Sequence, residues 1–175
     1  MTAFAALLRA VNVGGTGKLA MSDLVKICDK AGLERAKTYI QSGNVVFESR
    51  ASEATVKAGL EKALAVKVGK PVRVLVRTAD ELDQVLARNP FRDAEPKRVI
   101  VVFLDHAPPK DAVTHVATPG GEQLVLDGRE LYIHFPNGQG TSKLKVPFSD
   151  VGTGRNMNTV TKLAAMSREL TKDAR

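Results

Sequence analysis

Thr38-Tyr39-Ile40-Gln41-Ser42-Gly43-Asn44-Val45-Val46-Phe47 is the stretch on which the fold turns. Two runs rich in β-branched and aromatic residues flank Gly43-Asn44, a pair that accepts the positive φ angles of a tight turn, so the spacing predicts a β-hairpin. Upstream, residues 3–9 form a short apolar run closed by Arg9, and the glycine-rich loop Asn12–Lys18 follows. Leu24, Ile27, Cys28 and Ala31 fall at i, i+3, i+4 and i+7, which predicts a helix starting near Ser22 with one buried stripe and a stop at Gly32. Downstream, Ser52 caps a second predicted helix whose apolar face is Val56, Leu60, Ala63 and Leu64, and Val72–Val76 alternate as a fourth strand. The order strand–helix–strand–strand–helix–strand is the split βαβ arrangement of a ferredoxin-like unit.

The pattern then restarts. Thr78-Ala79-Asp80-Glu81 reads as a capping box that opens a third helix, ending before Asn89-Pro90. Strand Arg98–Leu104 follows, then a short helix after Pro109, strand Gln123–Leu126, the turn Asp127-Gly128 and strand Glu130–Phe135. The glycine-rich stretch Pro136–Thr141 leads through Pro147 to a closing helix from about Asn158 to Leu170. Its stripe is Val160, Leu163, Ala164, Ser167 and Leu170. The expected fold is therefore α+β: a two-layer sandwich with a ferredoxin-like βαββαβ first half, residues 1–88, and a duplicated second α/β half, residues 89–175. The duplication rests on element order, because the two halves share almost no sequence.

Composition narrows the class. At 175 residues, with 43% hydrophobic and 26% charged residues, the chain is long enough and apolar enough for a buried core. No apolar run reaches the roughly 18 residues a membrane helix needs. Met1-Thr2-Ala3-Phe4 lacks the basic region of a secretion signal, and the one cysteine, Cys28, suits a reducing compartment. A cytoplasmic, bacterial-type protein is expected. The net charge of +7 is uneven: residues 1–78 carry 13 Lys/Arg against 6 Asp/Glu, and residues 79–128 carry 5 against 9. Basic ends fit an acidic or phosphorylated partner, and equally a solvated surface.

Two segments invite chemistry. Asn12-Val13-Gly14-Gly15-Thr16-Gly17-Lys18 lies between a strand and a helix, as a phosphate-binding P-loop does. Asn12 stands where a P-loop has its first glycine, and Leu19 where it has the magnesium-holding Ser or Thr, so the motif fails as an NTPase signature. A looser role survives, in which successive glycine-loop amides, aided by Arg9 and Lys18, cradle an anion. The alternative is a loop whose glycines serve only a turn. The second segment is Arg155-Asn156-Met157-Asn158-Thr159 with Lys162 one turn on. There a helix N-terminus and its dipole attract a phosphate or carboxylate, or Asn158 is only the helix cap.

Other constellations are thin. Cys28 lies on an apolar stripe, and His106, His115 and His134 lack metal-ligand spacing, so no metal or cofactor is expected. Tyr132 and His134 share one face of a strand and are expected on its polar outer side. Aromatic content of 5% offers few platforms for single-stranded nucleic acid.

These motifs together resemble the family catalogued as domain of unknown function 1697. The matching segments are Leu7–Gly15, Thr38–Phe47, Asn89-Pro90-Phe91 and Arg155–Leu163. Two positions depart from that pattern: Ala10 in place of glycine and Met157 in place of tryptophan. The resemblance implies an α+β fold with internal duplication and no assigned activity.

The expected binding surface has Arg9, Asn12, Gly14, Gly15 and Lys18 as one wall and Arg155, Asn156, Asn158, Thr159 and Lys162 as another. Gln41, Ser42 and Asn44 supply polar orientation from the hairpin, since element ends are where loops present ligands. The expected partner is a small anionic or nucleotide-like ligand; nucleic acid bound by the basic termini, or an enzyme using the same pocket, are the alternatives. Reaction, substrate and oligomeric state are not legible.

Overall fold

The computed structural model describes residues 1–12, 18–41 and 43–173. The elements run β1 (Thr2–Leu8), α1 (Met21–Lys30), β2 (Glu34–Tyr39), β3 (Asn44–Ser49), α2 (Glu53–Val68), β4 (Val74–Thr78) and α3 (Ala79–Ala87). After a 3-10 turn at Pro96–Arg98 come β5 (Val99–Phe103), β6 (Gln123–Asp127), β7 (Glu130–His134), β8 (Thr153–Asn156) and α4 (Met157–Asp173). The protein is thus mixed α+β, with four α-helices among the described residues. Its two four-stranded antiparallel sheets are ordered β2-β3-β1-β4 and β6-β7-β5-β8. The chain packs as two compact units, Met1–Asp83 with Lys162–Arg175, and Gln84–Thr161.

In the first unit one sheet face is apolar because alternate strand residues are. Phe4, Ala6 and Leu8 of β1, Val45 and Phe47 of β3, and Val74 and Val76 of β4 share a core with Leu24 and Cys28 of α1 and Val56, Leu60 and Leu64 of α2. The rings of Phe4 and Phe47 stack at 5.9 Å between centroids. Burying one such ring contributes about 1.5–3 kcal/mol. The opposite face is buried too, at Ala3, Ala5, Leu7, Val46 and Leu75, which is why β1 reads as an unbroken apolar run. Ser52 caps α2 by accepting from the Thr55 amide at 3.2 Å. Glu61 of α2 accepts from the Val74 amide at 3.0 Å, while Lys57 donates to Glu61 at 2.7 Å and to the Val74 carbonyl at 2.6 Å. The last turns of α4 join this unit through Arg35, which donates to the Leu170 carbonyl and pairs with Asp173 at 3.5 Å and Glu48 at 2.7 Å.

Thr78 and Glu81 form the capping box that the sequence predicts: the Thr78 amide donates to Glu81 at 2.8 Å, and the Glu81 amide to Thr78 Oγ1 at 3.1 Å. The hairpin differs in detail. Ile40, Gln41 and Gly43 lie in its turn, and Asn44 begins β3, fully buried, donating to the Tyr39 carbonyl at 3.1 Å.

The second unit centres on β5, buried along its whole length. Ile100, Val102 and Leu104 pack with Leu131, Ile133, Phe135 and Leu144. Three expectations change here. Residues 110–115 form successive turns with i to i+3 bonds, Ala112 to Pro109 and Thr114 to Asp111, in place of a short helix. Tyr132 is buried rather than on a polar outer face, and its hydroxyl donates to the Val85 carbonyl at 2.7 Å. Arg155 and Asn156 belong to a strand, β8, that the sequence does not announce. No helix among the described residues is long and apolar enough to cross a membrane.

Candidate functional site

The sheet of the first unit brings Arg9, Asn12, Gln41 and Asn44 to one end of its strands, because antiparallel pairing sets the end of β1 beside the start of β3 and of β4. Leu7 faces Asn44, and Leu8 faces Val74. Beyond the last pairs, the Leu8 amide donates to the Gly43 carbonyl at 2.8 Å and the Arg9 amide to the Arg73 carbonyl at 2.9 Å. Three loops therefore meet there: the one following Arg9, the hairpin turn, and the approach to β4 ending at Arg73. Arg73, which the alternating pattern places inside a strand, is a cation just ahead of β4 at this edge.

Asn12 organises the edge. Its Nδ2 donates to the Leu19 carbonyl at 2.8 Å and to the Gln41 carbonyl at 2.9 Å, and its Oδ1 accepts from the Leu19 amide at 2.8 Å. One side chain thus closes the base of the glycine-rich segment and fastens that base to the hairpin. Gly14, Gly15 and Ser42 lie outside the described residues. Lys18 and Gln41 are exposed; Arg9 is half-buried.

The backbone at this edge is strained. Ala10, Asn12 and Ile40 have φ of 56°, 56° and 50°, in the left-handed region that costs an L-residue about 1–2 kcal/mol. Ala10 is the position where the resemblance leads one to expect glycine, and its φ explains why. Gly43, with φ of 82°, has no room for a side chain: a Cβ there falls 2.5 Å from Val11 Cγ2 and 2.9 Å from Leu8 Cβ.

The second set of expected residues is built differently. Asn156 is the N-cap of α4, its Oδ1 accepting from the Thr159 amide at 3.0 Å, which is the role the sequence had offered to Asn158. Arg155 turns back on its own strand, donating to Thr153 Oγ1 at 2.8 Å and the Gly154 carbonyl at 2.9 Å. Burial pulls the Arg155 guanidinium down to about 10. Asn158 and Lys162 are exposed, and Thr159 and Met157 are buried, so the residue at the expected tryptophan position belongs to the packing. Of this set, Lys162 belongs to the first unit and the others to the second.

Cys28 is a buried free thiol, and desolvation, with help from Asp29, pushes it up to about 12. Among the described residues no cluster of three or more His, Cys, Asp or Glu is arranged to hold a metal ion.

Among solved structures the chain is similar to the conserved bacterial protein SP0830 from Streptococcus pneumoniae, with TM-score 0.78 and 27% identity over 95% of this chain and 98% of that one. No curated protein matches it. The likeness brings a shared fold and no specific activity. Residues 1–132 match the family model described as protein of unknown function (DUF1697), and the chain belongs to that family.

Proposed function

We propose that the edge of the first unit at the end of β1 binds a small anionic or nucleotide-like ligand. The observation that carries this reading is the strain. Three of the five non-glycine residues with positive φ among those described, Ala10, Asn12 and Ile40, fall at this one edge. Strain of that kind persists where the surroundings enforce it, and it clusters at ligand clamps. Arg9, Arg73 and Lys18 supply positive charge there. Backbone amides at Gly14 and Gly15 are the donors in this reading, with Gln41 and Ser42 setting polarity and the buried Asn44 tying the turn to the Tyr39 carbonyl. Asn12 holds the loop in place instead of touching the ligand. At the start of α4, the exposed Asn158 serves a separate anion contact within the second unit, beside Thr159 and the cap at Asn156. Arg155, tied to Thr153, supports that contact from the strand.

The test is thermal stability with ATP, glucose 6-phosphate and citrate. A ligand at 100 times its dissociation constant adds about 2.7 kcal/mol, a rise of roughly 5–11 °C for a chain of this size. Replacing Arg9 and Lys18 together with alanine removes the shift while the fold persists. No shift with any of the three probes sinks the reading. Turnover of a stabilising phosphate ester identifies an enzyme using the same pocket. Nucleic-acid binding is favoured only by the basic charge of residues 1–78, and it predicts a salt slope near −0.9 per phosphate contacted.

We also read the first unit as ferredoxin-like and the second as its shortened repeat. What supports this is that both sheets run second, third, first, fourth strand of their unit. The crossover helices α1 and α2 have no α-helical counterpart in the second unit, where turns and loops take their place. A cytoplasmic setting rests on the single cysteine alone.

A further inference from the structure

Wholly within the second unit lies a cavity of about 290 Å³. Its lining includes Pro119, Phe135 and Pro136 on the apolar side, and Glu122, Asn137 and Ser142 on the polar side. The volume stands at the small end of ligand pockets, which run from roughly 300 to 1,000 Å³.

Glu122 is the unusual member. It is 5% exposed, yet it is a carboxylate without a cation. Its Oε1 accepts from Ser142 Oγ at 2.6 Å and its Oε2 from the Gly120 amide at 2.8 Å. The Ser142 bond above all, with bonds from the backbone amides of Glu122 itself and Gly120, holds the carboxyl below the usual carboxylate range, so it is ionised at neutral pH. Among the described residues no lysine or arginine forms an ion pair with it, although Lys143 lines the same cavity. Buried carboxylates are almost always paired. With a bond from its own amide as well, part of the carboxylate's roughly four lone-pair sites stays open. The rim is held in place independently, because Arg98 donates to the Pro136 carbonyl and the Leu144 amide donates to Ser142 Oγ at 3.1 Å. Acceptor capacity, an uncompensated negative charge and apolar walls therefore meet in one small space.

We propose that this cavity binds a small organic cation: a primary ammonium or guanidinium on a short aliphatic stem. Glu122 is the counter-ion, Phe135 and the two prolines pack the methylenes, and Asn137 provides a rim hydrogen bond. A neutral polyol fits less well, because it leaves the charge of Glu122 uncompensated.

The test is an amide-resolved NMR titration of the whole chain with agmatine and 1,5-diaminopentane, beside 1-pentanol and inorganic phosphate. The expected result is saturable shifts at Gly120, Gly138 and Ser142 for the two amines, with dissociation constants below about 1 mM, and none there for pentanol or phosphate. Glu122→Gln weakens the amines by at least about tenfold. Because Glu122 also ties Gly120 to Ser142, a second variant, Asn137→Trp, fills the mouth and leaves the carboxylate in place; it abolishes the shifts. Absence of saturable amine shifts, an equal response to pentanol, or wild-type titration of Asn137→Trp overturns the proposal. Phosphate shifts confined to the first unit bear on the other site alone.

Discussion

Replacing Asn12 with aspartate changes one group, the side-chain NH2, into an oxygen of nearly the same size. The bond from the Leu19 amide survives, and the two donations, to the Leu19 and Gln41 carbonyls at 2.8 and 2.9 Å, do not. Each lost bond costs about 1 kcal/mol net, and setting a carboxylate oxygen against two carbonyl oxygens adds to that, for a total of about 2–4 kcal/mol. For a chain of this length that is a fall in Tm of roughly 4–16 °C. The Asn12→Asp penalty also depends on pH. Facing two carbonyls, the introduced carboxyl has a folded pKa above its unfolded value of about 3.9. Its neutral form, which regains one donor, is the favoured folded form. The penalty is therefore full above the folded pKa, shrinks as pH falls through it, and is least below about 3.9. Paired thermal melts of wild type and variant from pH 3.5 to 7 measure the gap directly. A gap under about 0.5 kcal/mol at pH 7, or one that does not narrow with acid, refutes the assignment of Asn12 as the clamp.

Three further outcomes follow from the same backbone. Ala10→Gly relieves the left-handed φ of 56° at a cost in unfolded-state entropy, so urea unfolding shows a net gain of about 0.5–1 kcal/mol. Gly43→Ala combines a positive φ with a contact of 2.5 Å to Val11; equilibrium denaturation shows a loss of about 2–5 kcal/mol, or no folded protein. Cys28 resists thiol reagents in the native state and reacts only as fast as the first unit opens. Since its folded pKa of about 12 lies above the ordinary 9.0, its contribution to stability is present below pH 9 and is lost as pH rises toward 12, which alkaline melts of Cys28→Ala and wild type separate.

Periodicity made much of this legible. The stripes of α1, α2 and α4, the Ser52 cap and the Thr78–Glu81 box are local patterns, and each partner lies within a few residues. What escaped reading depends on distant partners. Asn12 looks like a ligand-binding residue until its carbonyl partner 29 residues away is known. Arg73 becomes an edge cation only through its pairing with Arg9. The hairpin turn moved off Asn44 because that side chain is wanted inside, on the Tyr39 carbonyl, leaving the β-branched Ile40 in a conformation that sequence rules assign to glycine. β8 is four residues, Thr-Gly-Arg-Asn, too short and too polar to show alternation. Glu122 gave no signal, since a carboxylate after two glycines looks the same whether it is solvated or enclosed. The glycine-rich residues 13–17 and Ser42 lie outside the described residues.

The Arg35 bond to Leu170 joins residues 135 positions apart. The chain must be synthesised through Leu170 before that bond can form, and the intervening unit, Gln84–Thr161, is complete in sequence first. Until the last turns of α4 are made, Arg35 lacks its Leu170 and Asp173 partners and the opening unit lacks part of its chain. Stop codons or proteolytic nicks after Thr161 therefore injure the beginning of the protein more than its middle, and late-synthesised residues set when the earliest ones become safe from aggregation.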